Sequence, residues 1–156
     1  MIRIDTDLMS TQEARILIEN AREGQKILST YSQEQIDRIV EAMANYLSTY
    51  SDELAKLAVS ETGFGIVTDK AIKNRFSSEF IYQYIKEMKT IGVISEDTEL
   101  RTYDIGVPVG VIVGLLPCTN PTSTAIATTL ISIKAGNAIV FSPHPKALIS
   151  ISRTLD

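Results

Sequence analysis

Residues 109–145 read VGVIVGLLPCTNPTSTAIATTLISIKAGNAIVFSPHP, and the change of period along this stretch decides the fold class. Val109 to Leu116 is a run of β-branched and large apolar residues bounded by Gly and Pro, which predicts a strand. The run is apolar on both faces, so it is expected at the centre of a covered parallel sheet. Pro117-Cys118-Thr119-Asn120-Pro121 follows, and Thr122 to Ala135 then continues without a breaker. Asn at the N-cap and Pro at the first helical position mark a helix start, because the amide that proline lacks would have been unpaired there anyway. Gly136-Asn137 supplies the stop, Ala138 to Ser142 a second strand, Pro143-His144-Pro145 a turn, and Lys146 onward a second helix. The series β, α, β, α predicts an α/β fold containing the start of a doubly wound parallel sheet. Two buried strands are too few for a free-standing sheet, and Leu148, Ile149 and Ile151 form an apolar face with no strand after it, so the chain reads as truncated.

Upstream the period is helical, and residues 10–90 are expected to form a helical layer. Ser10 with Glu13, and Ser32 with Gln35, have the spacing of capping boxes. The second box opens a stripe of Ile36, Ile39, Val40, Met43, Leu47 and Tyr50 at intervals of three and four. Ser51 is the expected cap of a third helix through Leu54, Leu57 and Ala58, which Gly63 and Gly65 end. A fourth helix is expected to carry Ile72, Phe76, Phe80, Ile81, Tyr84, Ile85 and Met88. Leu100 to Tyr103 reads as a strand ahead of the sheet.

The composition narrows the function classes. A length of 156 residues suits one domain, and 44% hydrophobic with 22% charged residues is that of a globular chain, not a disordered one. A net charge of −4 without like-charge runs disfavours a nucleic-acid surface. The longest apolar run falls far short of the ~20 residues that span a bilayer, so no membrane partner is expected. Met1 to Ser10 lacks a basic patch followed by an apolar core, so no secretory signal is expected either. One Cys and one His make a metal site unexpected, and an unpaired cysteine fits a reducing cytoplasm.

In an open α/β sheet, ligands bind beyond the carboxyl ends of the strands, where helix N-termini offer free amides. Two such places exist here, Pro117 to Pro121 and Ser142 to Pro145. Neither carries the G-x-G-x-x-G dinucleotide fingerprint, so any nucleotide must be held in another way. An amide donor such as Asn120 at a strand-to-helix turn suits stabilisation of a developing oxyanion, and the alternative reading is a plain helix cap.

Four linked motifs carry a resemblance. They are Glu61-Thr62-Gly63-Phe64-Gly65 with Asp69-Lys70 and Lys73-Asn74; Pro108-Val109-Gly110-Val111-Ile112; Thr119-Asn120-Pro121-Thr122-Ser123-Thr124; and Gly136 through Pro145. In this order they resemble the N-terminal part of the CoA-acylating aldehyde dehydrogenases, including the aldehyde half of bifunctional aldehyde-alcohol dehydrogenases. Val107 departs from the acidic residue or alanine that many relatives have there. The resemblance implies that a cysteine thiolate attacks a small aldehyde, hydride passes to NAD (or NADP), and the thioester yields its acyl group to coenzyme A, in either direction. It implies an oxyanion role for Asn120, although hydrolytic relatives place their Asn one position earlier. It also implies cofactor contacts at Leu116, Pro117, Cys118, Thr119, Ser142, Pro143 and His144. The stretch 99–106 resembles the arm through which such enzymes pair subunits, which implies a homo-oligomer such as a dimer. Relatives often work inside bacterial microcompartments.

Cys118 is the one cysteine, yet the resemblance places the family's nucleophile beyond Asp156, and a free Cys more often simply packs. His144 has the alternative reading of a cap or a solvent-facing side chain. The Glu61 to Asp69 segment follows a helix, so it reads as a helix stop and turn and not as a phosphate loop. A hydrolytic aldehyde dehydrogenase and a nonenzymatic nucleotide- or partner-binding module are the competing functions.

Overall fold

The structure, a computed structural model, describes residues 5–156; the stretch beginning at Met1 that was read for a secretory signal lies partly outside the described residues. Four helical segments come first: α1 (Thr6–Leu28), α2 (Gln33–Thr49), α3 (Ser51–Thr62) and α4 (Val67–Arg75), the last running through a π-helical turn (Phe76–Phe80) into α5 (Ile81–Ile85). An antiparallel hairpin follows, β1 (Gly92–Asp97) with β2 (Thr102–Gly106). Then come β3 (Val111–Leu116), α6 (Pro121–Lys134) and β4 (Ala138–Pro143), and a 3-10 turn (Pro145–Ala147) leads into α7 (Leu148–Leu155). β3 and β4 pair in parallel, in register from Val111 opposite Ala138 to Leu116 opposite Pro143. The architecture is therefore α/β, with a parallel β-α-β unit built onto N-terminal helices. No described helix is long and apolar enough to cross a membrane.

The main core joins α2, α3, α5 and α6 through Ile36, Val40, Ala44, Leu47, Leu54, Ile85, Ile126 and Leu130. α2 begins as its sequence dictates. The Ser32 hydroxyl accepts from the Gln35 amide, and the Gln35 side chain accepts from the Ser32 amide at 2.8 Å. A smaller cluster of Leu116, Ala125, Ala147 and Ile151 joins β3 to α6 and α7. At the far end of α6, Lys134 is buried and donates to Asp37 at 2.6 Å and to the Lys86 carbonyl at 2.8 Å, which satisfies a charge that could not otherwise remain inside.

Several local expectations are corrected. α1 starts at Thr6 after Asp5, so Ser10 lies inside it and donates to the Thr6 carbonyl instead of capping. Ser51 is the first residue of α3, and its buried hydroxyl has no partner among the described residues. The apolar row Ile72, Phe76, Phe80 and Tyr84 is exposed, while Ala71, Asn74, Ser77, Ser78 and Ile85 are buried. Hydrophobic period misreads this helix because its inner face is polar and satisfied by hydrogen bonds, and because the π-helical turn shifts the phase. Leu100 lies in the turn of the hairpin, where Asp97 accepts from the Glu99 and Leu100 amides; β1, rich in polar residues, had no strand signature. Among the described residues β3 is covered on its Leu116 side only. Its Val113 and Leu115 side faces α1 across an open crevice, and Leu115 is 78% exposed. The apolar pattern states a demand for burial without naming the element that meets it.

Candidate active site

The parallel register brings the two candidate turns together. Leu116 lies opposite Pro143, and the His144 amide donates to the Leu116 carbonyl at 3.0 Å. Residues 116–120 and 142–144 therefore line one edge, at the carboxyl ends of both strands, with the start of α6 between them. Their side chains point to different tasks. Leu116 is buried in the small cluster, and the half-buried Cys118 packs against the same cluster. Pro117, Thr119 and Ser142 are exposed, and Pro143 and His144 half-buried. The His144 Nδ1 accepts from the Lys146 amide at 3.1 Å, so this histidine caps the 3-10 turn through its ring.

Asn120 occupies the N-cap of α6, and its carbonyl accepts from the Thr124 amide at 3.2 Å. Its side chain does not cap: Oδ1 accepts from the Lys73 ammonium at 3.1 Å. Proline at the first helical position leaves the helix one fewer orphan amide, so a side-chain cap is less needed there. The plain-cap reading of Asn120 thus holds for its backbone and fails for its amide.

α4 supplies the side chains that hold this turn. Lys70, 5% exposed, donates to the Thr119 carbonyl at 2.8 Å. Burial, and then the like charge of Lys73, lower the Lys70 pKa from its usual value. One residue beyond Lys73, the buried Asn74 donates to the Ser51 carbonyl at 3.0 Å and accepts from the Thr122 hydroxyl at 2.8 Å. Room for the Lys70 stem comes from Gly65, whose φ is +80° and where a Cβ would sit 3.1 Å from Lys70 Cε. On the other side of the same corner, Glu61 accepts from the Ile149 amide at 2.8 Å and the Ser150 amide at 2.7 Å, closing the start of α7. Burial pushes the Glu61 carboxyl up, but hydrogen bonds from the Ser150 hydroxyl and the two amides outweigh it and hold the pKa below the usual carboxylate value. The spacing of Lys70 and Lys73 on one helix edge was the available signal for this clamp.

The family model for the aldehyde dehydrogenase family matches residues 4–155. The chain belongs to the aldehyde dehydrogenase family. A solved structure of a probable aldehyde dehydrogenase from Listeria monocytogenes superposes with a TM-score of 0.94 at 57% identity, over 97% of this chain and 33% of that one. An acetylating aldehyde dehydrogenase from Geobacillus thermoglucosidasius gives a TM-score of 0.94 at 49% identity, over 97% and 34%. The bifunctional aldehyde-alcohol dehydrogenase of Escherichia coli is 47% identical over 144 residues, which are 92% of this chain and 16% of that protein. The chain thus spans about a third of the solved relatives and matches their N-terminal part. Acetylating aldehyde dehydrogenases and bifunctional aldehyde-alcohol dehydrogenases, which the four sequence motifs resemble, are thus among the relatives.

Proposed function

We propose that this chain forms the cofactor-side part of a CoA-acylating aldehyde dehydrogenase, which converts a short-chain aldehyde, NAD and coenzyme A into acyl-CoA, NADH and a proton, and runs in reverse. The residues at the two turns fit a dinucleotide chemically. Neither turn carries a carboxylate of its own, from Leu116 to Ser123 or from Ser142 to Ala147. The amides at the start of α6 have no side-chain acceptor among the described residues, and a helix N-terminus favours an anion. When bound, NAD supplies the hydride acceptor.

The observation that carries the reading is the Asn120 amide. With Oδ1 committed to Lys73, Nδ2 is the end left to donate to an aldehyde oxygen as a thiolate adds to the carbonyl and negative charge gathers on that oxygen. The Thr119 and Ser142 side chains, exposed on either side, line the edge along which the cofactor would lie. Cys118 serves as a packing group, and the attacking thiolate belongs to a residue outside this sequence. In the longer enzyme, Asn120→Ala should lower kcat about a hundredfold to a thousandfold, the usual loss for one oxyanion donor, with NAD affinity nearly unchanged. Turnover equal to the unaltered enzyme would reduce Asn120 to a backbone cap.

A further inference from the structure

An asparagine amide can present either end to a cleft, and only its NH2 end stabilises an oxyanion. Something must choose. Lys73 is placed to do so: its ammonium lies 3.1 Å from Asn120 Oδ1, and it carries donors and no acceptor. The flipped amide would set NH2 against NH3+ and lose the hydrogen bond. α4 brings Lys70 and Lys73 to one edge, three residues apart, and Lys70 holds the carbonyl of the preceding residue, Thr119. The helix therefore grips the backbone with one lysine and orients the side chain with the next.

We infer that Lys73 is a positioning residue that sets and polarises the Asn120 amide so that Nδ2 faces the reacting carbonyl. The inference rests on the oxyanion role proposed for Asn120. Lys73 itself touches no reacting atom. The Lys73 and Asn120 side chains meet at the surface of the turn, where such a contact adds little to folding stability, so its loss should be visible in turnover and not in the melting temperature.

The test uses Lys73→Met, Lys73→Gln, Lys73→Arg, Asn120→Ala and the double variant Lys73→Met/Asn120→Ala in the longer enzyme. Lys73→Met and Lys73→Gln should lower kcat about tenfold, leave the KM for NAD within about twofold, and leave the melting temperature unchanged. Lys73→Arg, which keeps a donor-only cation, should restore most of the rate. The double variant should be no slower than Asn120→Ala alone, because Lys73 acts through that amide. In 15N-labelled protein without substrate or cofactor, the Asn120 side-chain NH2 resonances should move in Lys73→Met and stay in Lys73→Arg. Full turnover in Lys73→Met alongside a slow Asn120→Ala overturns the inference and leaves the Asn120 role standing. Full turnover in Asn120→Ala overturns the role itself. A double variant tenfold slower than Asn120→Ala shows that Lys73 acts elsewhere and also overturns the inference, as does an NH2 signal unmoved in Lys73→Met.

Discussion

Removal of the Asn74 side chain should destabilise the chain by about 3 kcal/mol. The residue is 0% exposed, and its amide makes two hydrogen bonds to groups on different elements, the Ser51 carbonyl of α3 and the Thr122 hydroxyl of α6. Asn74→Ala removes the acceptor of the Thr122 hydroxyl and one of the two donors to the Ser51 carbonyl, which as the first carbonyl of α3 still accepts within its own helix, at about 1 kcal/mol for each bond, and adds the packing lost around a fully enclosed side chain. The Thr122 hydroxyl can turn toward a carbonyl of its own helix, so its share lies at the low end. Net stabilities of ordinary domains are only about 5–15 kcal/mol, so the loss is a large fraction of the whole. Urea denaturation followed by circular dichroism at pH 7 measures it. Thr122→Val, which orphans only Asn74 Oδ1, should cost about 1–2 kcal/mol, and the double variant Asn74→Ala/Thr122→Val should cost less than the sum of the two. A loss below about 1 kcal/mol for Asn74→Ala, or strict additivity in the double variant, would refute the reasoning, because the inner face of α4 would then not be held by this amide.

Glu61→Gln should destabilise by about 1 kcal/mol at neutral pH, the scale of a carboxylate at a helix start. Since the folded-state pKa of Glu61 is lowered from its reference of 4.5, its contribution is complete above that value and is lost as pH falls through the folded pKa. The gap in urea midpoint between the two proteins should therefore be full at pH 7 and close in acid; a gap that widens in acid contradicts the cap. The 156-residue chain by itself should form no NADH from acetaldehyde or propionaldehyde with coenzyme A, and activity that Cys118→Ser abolished would move the nucleophile to this turn.

What could be read from the sequence was local chemistry. The box at Ser32 and Gln35 needs only four residues to declare itself, and the shift from period two to an unbroken helical run between Val109 and Ser142 carries the parallel unit. The placement of Asn120 at a helix start was legible for the same reason. The face buried by α4 and α5 was not, because Asn74 and Ser78 lie inside with their polar atoms satisfied and the aromatic row of Phe76, Phe80 and Tyr84 lies outside. A period count assumes that apolar means inward, and hydrogen bonding across 48 residues, as between Asn74 and Thr122, leaves no trace in it. The partners of Asn120 and Thr119 were invisible likewise, being 47 and 49 residues distant in sequence.

The segment first read as a simple helix stop proves to join both turns of the site. Gly63 does end α3, with φ of +72° and its amide donating to the Val59 carbonyl at 2.9 Å, as a left-handed residue at a helix end should. Yet the residues flanking that stop face different ways. Glu61, two before it, holds the first amides of α7 just past the Ser142 to Pro145 turn, while Lys70, Lys73 and Asn74 hold Thr119, Asn120 and Thr122. The register of β3 and β4 sets how far apart the two turns stand, and the corner between α3 and α4 braces both from one side. Gly63 and Gly65 make that corner with two left-handed residues in three, a backbone that other residues adopt only at a cost of about 1 kcal/mol each. Gly65 has a second reason to lack a side chain, since a Cβ there would displace the Lys70 stem and with it the hold on Thr119. A corner with no chemistry of its own thus ties the turn that carries the amide donor to the start of α7, so the first of the four motifs touches both the third and the segment just past the fourth.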